Sequence, residues 1–532
     1  MTLEFDAVVV GAGHNGLATA VHLASRGWSV TVVEKASAPG GAVKTAEATL
    51  PGFRHDLYAM NLSMFAGSPF FASHRDGLLK HGLELVPSRD GFATAFPDGT
   101  WLGVSQDIET TTARIAALSA ADARNWRALM DRFGREAPHI FALLGAELPS
   151  RAAMGAVWKA WRALGVAGVA DIAKLVLSSP RAFLDAHFEH PKVKAMLGAW
   201  GLHLDFGPDV AGGALFPYLE SCACQSFGMV FGRGGADTII RAMTGYLRSL
   251  GGDIRLDAPV EAIEIEGGRA RGVRLASGER LIARRAVVAN LHPKGLAKLV
   301  AGRAGDRRPS DFAAKTAGFR AGPGTMMIHL ALNGPAEWRA GADLGRFPYV
   351  HLAPDFGTMG RTYNEAMAGL LPAEPVLVVG QPTAIDPTRA PEGHHILWVQ
   401  VRVLPADIRG DAAGAIQART WDEAKEAYAD RAIALLETYA PGLSAKILAR
   451  AVHSPLDLER DNPNLVGGDS LSGSHQLDQN FLFRPAFGWS KHRGPADGLF
   501  MVGASTWPGA GTGAGSGFMV GKRLAGEARP AR

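Results

Sequence analysis

Apolar residues follow two periods along this chain, and a change of period marks a change of element. Phe5 to Val10 is a short, β-branched, unbroken apolar run, the pattern of a strand buried on both faces. Leu17 to Arg26 then carries small and apolar residues at helical spacing, Gly27 closes the helix, and Trp28 to Val33 reads as a second strand ending at Glu34. From Leu83 to Trp101 apolar and polar residues alternate around turns at Ser88-Arg89-Asp90-Gly91 and Pro97-Asp98-Gly99, which predicts short antiparallel strands. The helical period takes over from Ser119 to Trp200, with starts at Ser119 and near Ser178-Ser179-Pro180. After Gly234-Gly235 the pattern predicts a helix over Ala236 to Leu250, strands at Ile254 to Leu256, Val260 to Ile265 and Ala270 to Leu275, and a final apolar strand over Arg285 to Asn290. Strands follow at Thr325 to Leu332, Val376 to Val379 and His395 to Val403, with a helix from Thr420 to Tyr439 stopped by Pro441-Gly442. Last come a strand over Gly498 to Ala504, a glycine loop over Trp507 to Gly515, and a helix over Ser516 to Ala525.

The first strand and helix are joined by Gly11-Ala12-Gly13-His14-Asn15-Gly16. Gly11 permits the tight turn, Gly13 leaves room for a phosphate against the backbone, and Gly16 lets the helix pack closely on the strand. The free N–H groups and positive dipole end of that helix make an anion site. Glu34 stands about twenty residues on, where its carboxylate can accept from both ribose hydroxyls and would repel a 2′-phosphate. A bare glycine pattern is weak evidence in a chain with 65 Gly in 532 residues, but strand, turn, helix, strand and acid in order point to a dinucleotide site. Pro39-Gly40-Gly41 could bring backbone against the same cofactor, and the second glycine loop supplies N–H groups for its far end.

Length and composition set the frame for this site. At 532 residues the chain exceeds one ordinary domain, and 47% hydrophobic residues against 20% charged is ample for a large core. Because the first strand and the C-terminal strand and loop both suit the nucleotide sheet, that domain is expected to be discontinuous, over 1–75, 230–300 and 487–532. Residues 76–229 and 301–486 are left for substrate binding. A net charge of +4 without a Lys/Arg block argues against nucleic acid as a partner. Cys222 and Cys224, one residue apart, suit neither a disulfide nor a zinc site and read as core thiols in a reducing compartment. The chain enters its first strand without a leader-like segment and holds no run long enough to span a membrane, so a cytoplasmic location is expected. Within the helical insertion, Met154, Val157, Trp158, Trp161, Leu164, Val166 and Val169 are interleaved with Arg151, Lys159, Arg162 and Lys174, a composition able to lie on the inner face of a membrane as a peripheral contact. His187 and His190 fall on one expected helix, where surface histidines are the plainer reading than metal ligands, and no metal site is expected.

Taken together, Gly11-x-Gly13-x-x-Gly16, Glu34-Lys35, Pro39-Gly40-Gly41, Arg233-Gly234-Gly235, Asp478-Gln479-Asn480 with Arg484-Pro485, Gly488-Trp489 and Gly503 to Gly511 resemble the phytoene desaturase-type flavoproteins, and most the phytoene-dehydrogenase-related branch. The likeness runs through nearly the whole chain. It implies an α/β fold, with a Rossmann-like FAD-binding domain of the amine oxidase/GDI type and an interleaved α+β substrate domain. By the resemblance, Gly11, Gly13 and Gly16 hold the pyrophosphate of FAD, Glu34 the adenosine ribose, Gly40 and Gly41 the cofactor's middle, and Val260 the adenine through its backbone, with Lys35 also among the cofactor-binding residues. Gly503, Ala504, Gly511, Thr512, Gly513 and Ala514 lie by the diphosphate and isoalloxazine. Two positions depart from the pattern: Trp507 stands where relatives carry His before Pro, and Ala42-Val43 follow Gly40-Gly41 where an Arg is common.

The implied activity is FAD-dependent desaturation or dehydrogenation of a lipophilic, isoprenoid- or carotenoid-like substrate, with reoxidation by oxygen, a quinone or another carrier. His475, Asp478 and Arg484 lie beside the matched C-terminal motifs and are the catalytic candidates. Two other readings use the same fold. One is an amine or small-molecule oxidase, for which an aromatic pair and a conspicuous Lys beside the flavin are expected. The other is a GDI-like lipid-binding escort without redox chemistry, which the intact glycine set and Glu34 disfavour.

Overall fold

The computed structural model describes residues 2–300 and 307–527, built around two seven-stranded sheets. In the first sheet the strands run in the order Val260–Glu266, Arg269–Leu275, Arg280–Ala289, Thr2–Val10, Val30–Val33 and Asp253–Arg255. Arg280–Ala289 is long enough to serve three neighbours. Its full length lies parallel to Thr2–Val10, its start pairs antiparallel with Arg269–Leu275, and its end pairs parallel with Leu499–Met501. The buried Ala7, Val8, Val9 and Val10 explain the unbroken apolar run: alternate residues enter two different clusters, one on each face of the sheet.

The strands of this sheet come from 2–33, 253–289 and 499–501, within the three stretches expected for the nucleotide domain. Residues 301–306 and 528–532, at the ends of two expected stretches, lie outside the described residues. Helix Pro69–Lys80 runs across the expected boundary at residue 75 and packs on Thr238–Ser249, where Gly77 lies against the Tyr246 ring.

The second sheet is ordered Ile447–His453, Gly324–Leu332, His395–Leu404, Val376–Gly380, Tyr349–Leu352, Asp90–Ala95 and Trp101–Ser105. Its pairings are antiparallel except that Tyr349–Leu352 and Asp90–Ala95 run parallel. Helix Trp421–Tyr439 covers one face with Trp421, Tyr428 and Leu436, and the other face meets the helical insertion.

Two local expectations are corrected. Leu85–Ser88 does not pair with the strand that follows it; Met229–Gly232 is its antiparallel partner, so the link between the two halves of the chain replaces a local hairpin. His187 ends helix Pro180–His187, whereas His190 caps the next helix, Pro191–Gly198, so the two never share a helix face. Arg151–Leu177 is bent at Gly165, which takes a positive φ of 69°. No helix among the described residues is long and apolar enough to cross a membrane.

Candidate functional site

Val10 leads into Gly11 at φ 95°, and the Gly11 N–H donates to the Val33 carbonyl at 2.8 Å, so the turn is tied to the end of the second strand. A side chain at Gly16 would place its Cβ 2.2 Å from the Gly11 oxygen, and one at Gly13 would meet the Asn290 amide at 2.8 Å. Both distances are closer than real Cβ contacts allow, so the first helix packs against the strand only because these positions lack side chains. Asn290, directly after Arg280–Ala289, touches all three glycines. Sequence reading placed Asn290 at the end of a strand and gave it no role; the one available signal was a polar residue closing a fully apolar run.

The Glu34 carboxylate accepts from the N–H groups of Ala12 at 2.8 Å and Ala36 at 3.0 Å. Gly40 donates its N–H to the Ala12 carbonyl, and Gly41, at φ 60°, stands over Gly13 with room for no Cβ beyond 3.2 Å from the Gly13 Cα. The second glycine loop closes on the first. Asn15 Oδ1 accepts from Ser516 Oγ at 3.0 Å and from the Gly517 N–H at 3.2 Å, while Ser516 Oγ accepts from the Gly503 N–H at 2.8 Å. His14 contacts the Gly511 carbonyl at 3.0 Å, and burial pushes its imidazole down to about 4, so it is neutral at physiological pH.

These backbone surfaces line one end of a cavity of about 440 Å³. Of the residues expected to bind the cofactor, Gly11, Gly13, Glu34, Lys35, Gly41, Val260, Gly503, Ala504, Gly511 and Thr512 line it. Gly16, Gly40, Gly513 and Ala514 do not: Gly16 and Gly40 shape the turn behind it, and Gly513-Ala514 lead into helix Gly515–Leu524. The cradle is glycine-walled, ends in a ribose-type carboxylate and receives a helix N-terminus, and so fits an extended dinucleotide.

The other end of the cavity belongs to the second sheet and the insertion. Along His395–Leu404, Trp398, Gln400 and Arg402 alternate onto the cavity face at the period of a strand. Tyr349 lies parallel to Trp398, with ring centroids 5.6 Å apart and an interplanar angle of 6°. Gly380 is paired with both residues in the sheet, and a Cβ there would meet Met60 and the Trp398 ring, so the missing side chain is what admits the stack. Arg402 is buried, donates to the Leu202 and His203 carbonyls and to the hydroxyls of Thr325 and Ser470, and burial brings its guanidinium down to about 10. His203 and His351 touch at 2.8 Å, both held neutral by burial.

None of the three catalytic candidates lines this cavity. His475 is buried, and its Nε2 accepts the Ala510 N–H at 3.0 Å, a bond that needs the neutral ring; burial and Arg484 hold its pKa far below the ordinary histidine value. Arg484 donates to the carbonyls of Gly473, Ser474 and Ala504. Asp478 is exposed and paired with Arg320 at 2.9 Å. His475 and Arg484 brace the C-terminal loop, and Asp478 lies on the surface. Trp507 also turns from the cavity: its indole donates to the Ala146 carbonyl at 2.8 Å, fastening the loop to the helical insertion. Ala42 and Val43, where relatives often have Arg, do line the cavity. Cys222 and Cys224 are free buried thiols whose pKa burial drives upward.

The chain's relatives agree with this geometry. It is 27% identical over 545 residues to the mouse pyridine nucleotide-disulfide oxidoreductase domain-containing protein 2, covering 96% of this chain and 91% of that one. It is 28% identical over 520 residues to the neurosporene-forming phytoene desaturase of Cereibacter sphaeroides, covering 95% and 91%. Among solved structures, an oxidoreductase from Methanosarcina mazei superposes with a TM-score of 0.63 at 18% identity, covering 98% of this chain and 99% of the other. A variant of putrescine oxidase superposes with a TM-score of 0.60 at 16% identity, covering 99% of each. The family model described as flavin containing amine oxidoreductase matches residues 16–525. The chain is therefore a flavin oxidoreductase and belongs to the flavin containing amine oxidoreductase family.

Proposed function

We propose that this protein binds FAD and dehydrogenates a lipophilic, isoprenoid-like substrate. The observation that carries the reading is the single cavity that joins the dinucleotide cradle to an apolar chamber walled by Trp200, Phe216, Met327, Tyr349 and Trp398. When bound, FAD supplies the acceptor for a hydride from the substrate, while a proton leaves to a base or water. The chain's own part is to bind, orient and exclude water. Glu34 offers a carboxylate at the ribose end, and His14 stays neutral beside the phosphate turn. Relatives named as phytoene and ζ-carotene desaturases and a limonene dehydrogenase subunit support the substrate class.

The amine oxidase reading has less support. Tyr349 and Trp398 form an aromatic pair, but at 5.6 Å they stack on each other and leave no slot for a substrate between them. Of the cavity lysines, Lys44 is held by Asp461 at 2.7 Å.

We also propose that the protein contacts a membrane peripherally through helix Arg151–Leu177. Met154 is 71% exposed, Val166 73%, and Trp158 and Trp161 about half exposed, beside Arg151, Lys159 and Arg162. Such a face suits the boundary of an anionic bilayer.

Release of the bound cofactor from the purified protein by denaturation tests the first step. FAD at near one equivalent supports the reading, and a colourless protein that takes up no FAD points instead to a lipid-binding escort. Sedimentation with anionic vesicles, lost in the Trp158→Ser and Trp161→Ser double variant, tests the membrane contact.

A further inference from the structure

Helix Leu215–Phe227 presents two different faces. Tyr218, Cys222 and Gln225 enter the core, and Tyr218 and Gln225 are hydrogen-bonded there to Glu136, Ser105 and Gln106. Phe216 and Glu220, one turn apart, face the cavity. The Glu220 carboxyl has no hydrogen-bond or ion-pair partner among the described residues, and burial pushes it up to about 7. Its charge is felt by Tyr349, the ring stacked on Trp398. Two residues from Trp398 on the same face of its strand, the Gln400 side chain also lines the cavity and likewise has no hydrogen-bond partner among the described residues.

An apolar ligand would cover both groups without replacing their water, and each polar group so stranded weakens its binding. Arg402 differs, because protein oxygens already meet its guanidinium. A chamber meant for a bare hydrocarbon has no use for an unpaired carboxyl and an unpaired amide on its aromatic wall.

Resting on the reading of the cavity as a lipophilic-substrate site, we infer that the substrate carries a hydroxyl group on its apolar body, received by Glu220, with Gln400 as a second polar group lining the same cavity. A hydroxyl both donates and accepts, so it can satisfy a carboxyl and an amide. A carbonyl only accepts, so it could meet the Glu220 carboxyl only in its protonated form. A plain polyene can do neither.

The test is equilibrium binding of geranylgeraniol and of the matching hydrocarbon without the hydroxyl, both in the same detergent, to the flavin-loaded protein by calorimetry. The expected result is at least about tenfold tighter binding of the alcohol, a preference lost in Glu220→Leu, reduced in Gln400→Leu and largely kept in Glu220→Gln, which retains a hydrogen-bonding side chain. An unchanged flavin spectrum in the variants shows that they are folded and loaded. Equal affinity for the two ligands, binding of neither, or a preference that survives Glu220→Leu in a loaded protein overturns the hydroxyl inference and leaves the redox reading standing. A protein without flavin that still prefers the alcohol through Glu220 overturns the redox reading and upholds the inference.

Discussion

The Glu34 carboxylate accepts the Ala12 N–H at 2.8 Å, so the end of the second strand is tied to the middle of the glycine turn. The same carboxylate holds Ala36 and lines the cavity where a ribose would lie. Glu34→Ala removes the ribose acceptor and the brace together. FAD affinity, measured by fluorescence titration of the stripped protein, is expected to fall about 10- to 100-fold. Unchanged affinity would remove Glu34 from the cofactor site.

The two glycine-loop helices meet where Gly517 leaves no space: a Cβ there would lie 2.0 Å from the Asn15 carbonyl oxygen. Gly517→Ala must push helix Gly515–Leu524 away from His14–Ala24 and break the Asn15 bonds to Ser516 and Gly517. A stability loss of about 1–3 kcal/mol or more is expected, read as an earlier denaturation midpoint, together with faster flavin loss. A control Gly155→Ala, with nothing within 4 Å of its Cβ position inside helix Arg151–Leu177, should leave flavin retention unchanged and stability equal or slightly higher.

Arg484 is a positioning residue in this account. With three carbonyls of Gly473, Ser474 and Ala504 satisfied by one buried guanidinium, Arg484→Met strands those oxygens beside the cofactor loop. Loss of about 3 kcal/mol or more is expected. Its signature is weaker flavin retention with an unaltered pH profile of the activity that remains. A lost limb of the pH profile would instead make Arg484 part of the proton chemistry.

Stability should fall on mild acidification. Burial lowers His55 and His351 to about 3 and His14, His74, His292 and His492 to about 4, against about 6.5 in the unfolded chain. Between these values the unfolded state binds more protons than the folded one, so stability is full above about 6.5 and is lost as pH falls toward 4. Asp205 and Glu220, raised to about 6 and about 7, act in the opposite sense and are fewer. The melting temperature should be level above pH 7 and drop steadily below 6.5. A rise between pH 7 and 5 would contradict these assignments.

The glycine-walled end of the cavity is legible in the sequence because backbone geometry makes it so. Gly13 and Gly16 are demanded by contacts closer than a Cβ permits and Gly11 by its φ of 95°, and such demands show as glycines at fixed spacing. The chamber was not legible. Glu220, Tyr349 and Gln400 lie far apart in the chain and come to line one cavity only through the second sheet and helix Leu215–Phe227, with no local spacing to mark them. His475, Asp478 and Arg484 drew attention as polar residues in a matched motif. That motif holds the loop behind the cavity, and side-chain direction, absent from a sequence, separates bracing from lining.

The most direct test of the central claim is the visible spectrum of the purified protein under anaerobic conditions, before and after addition of an isoprenoid substrate candidate, and then after air or a quinone. Dehydrogenation of a lipophilic substrate predicts flavin bands present from the start, bleached by substrate and restored by an acceptor. Flavin bands that no lipophilic candidate bleaches, while an amine does, would contradict it.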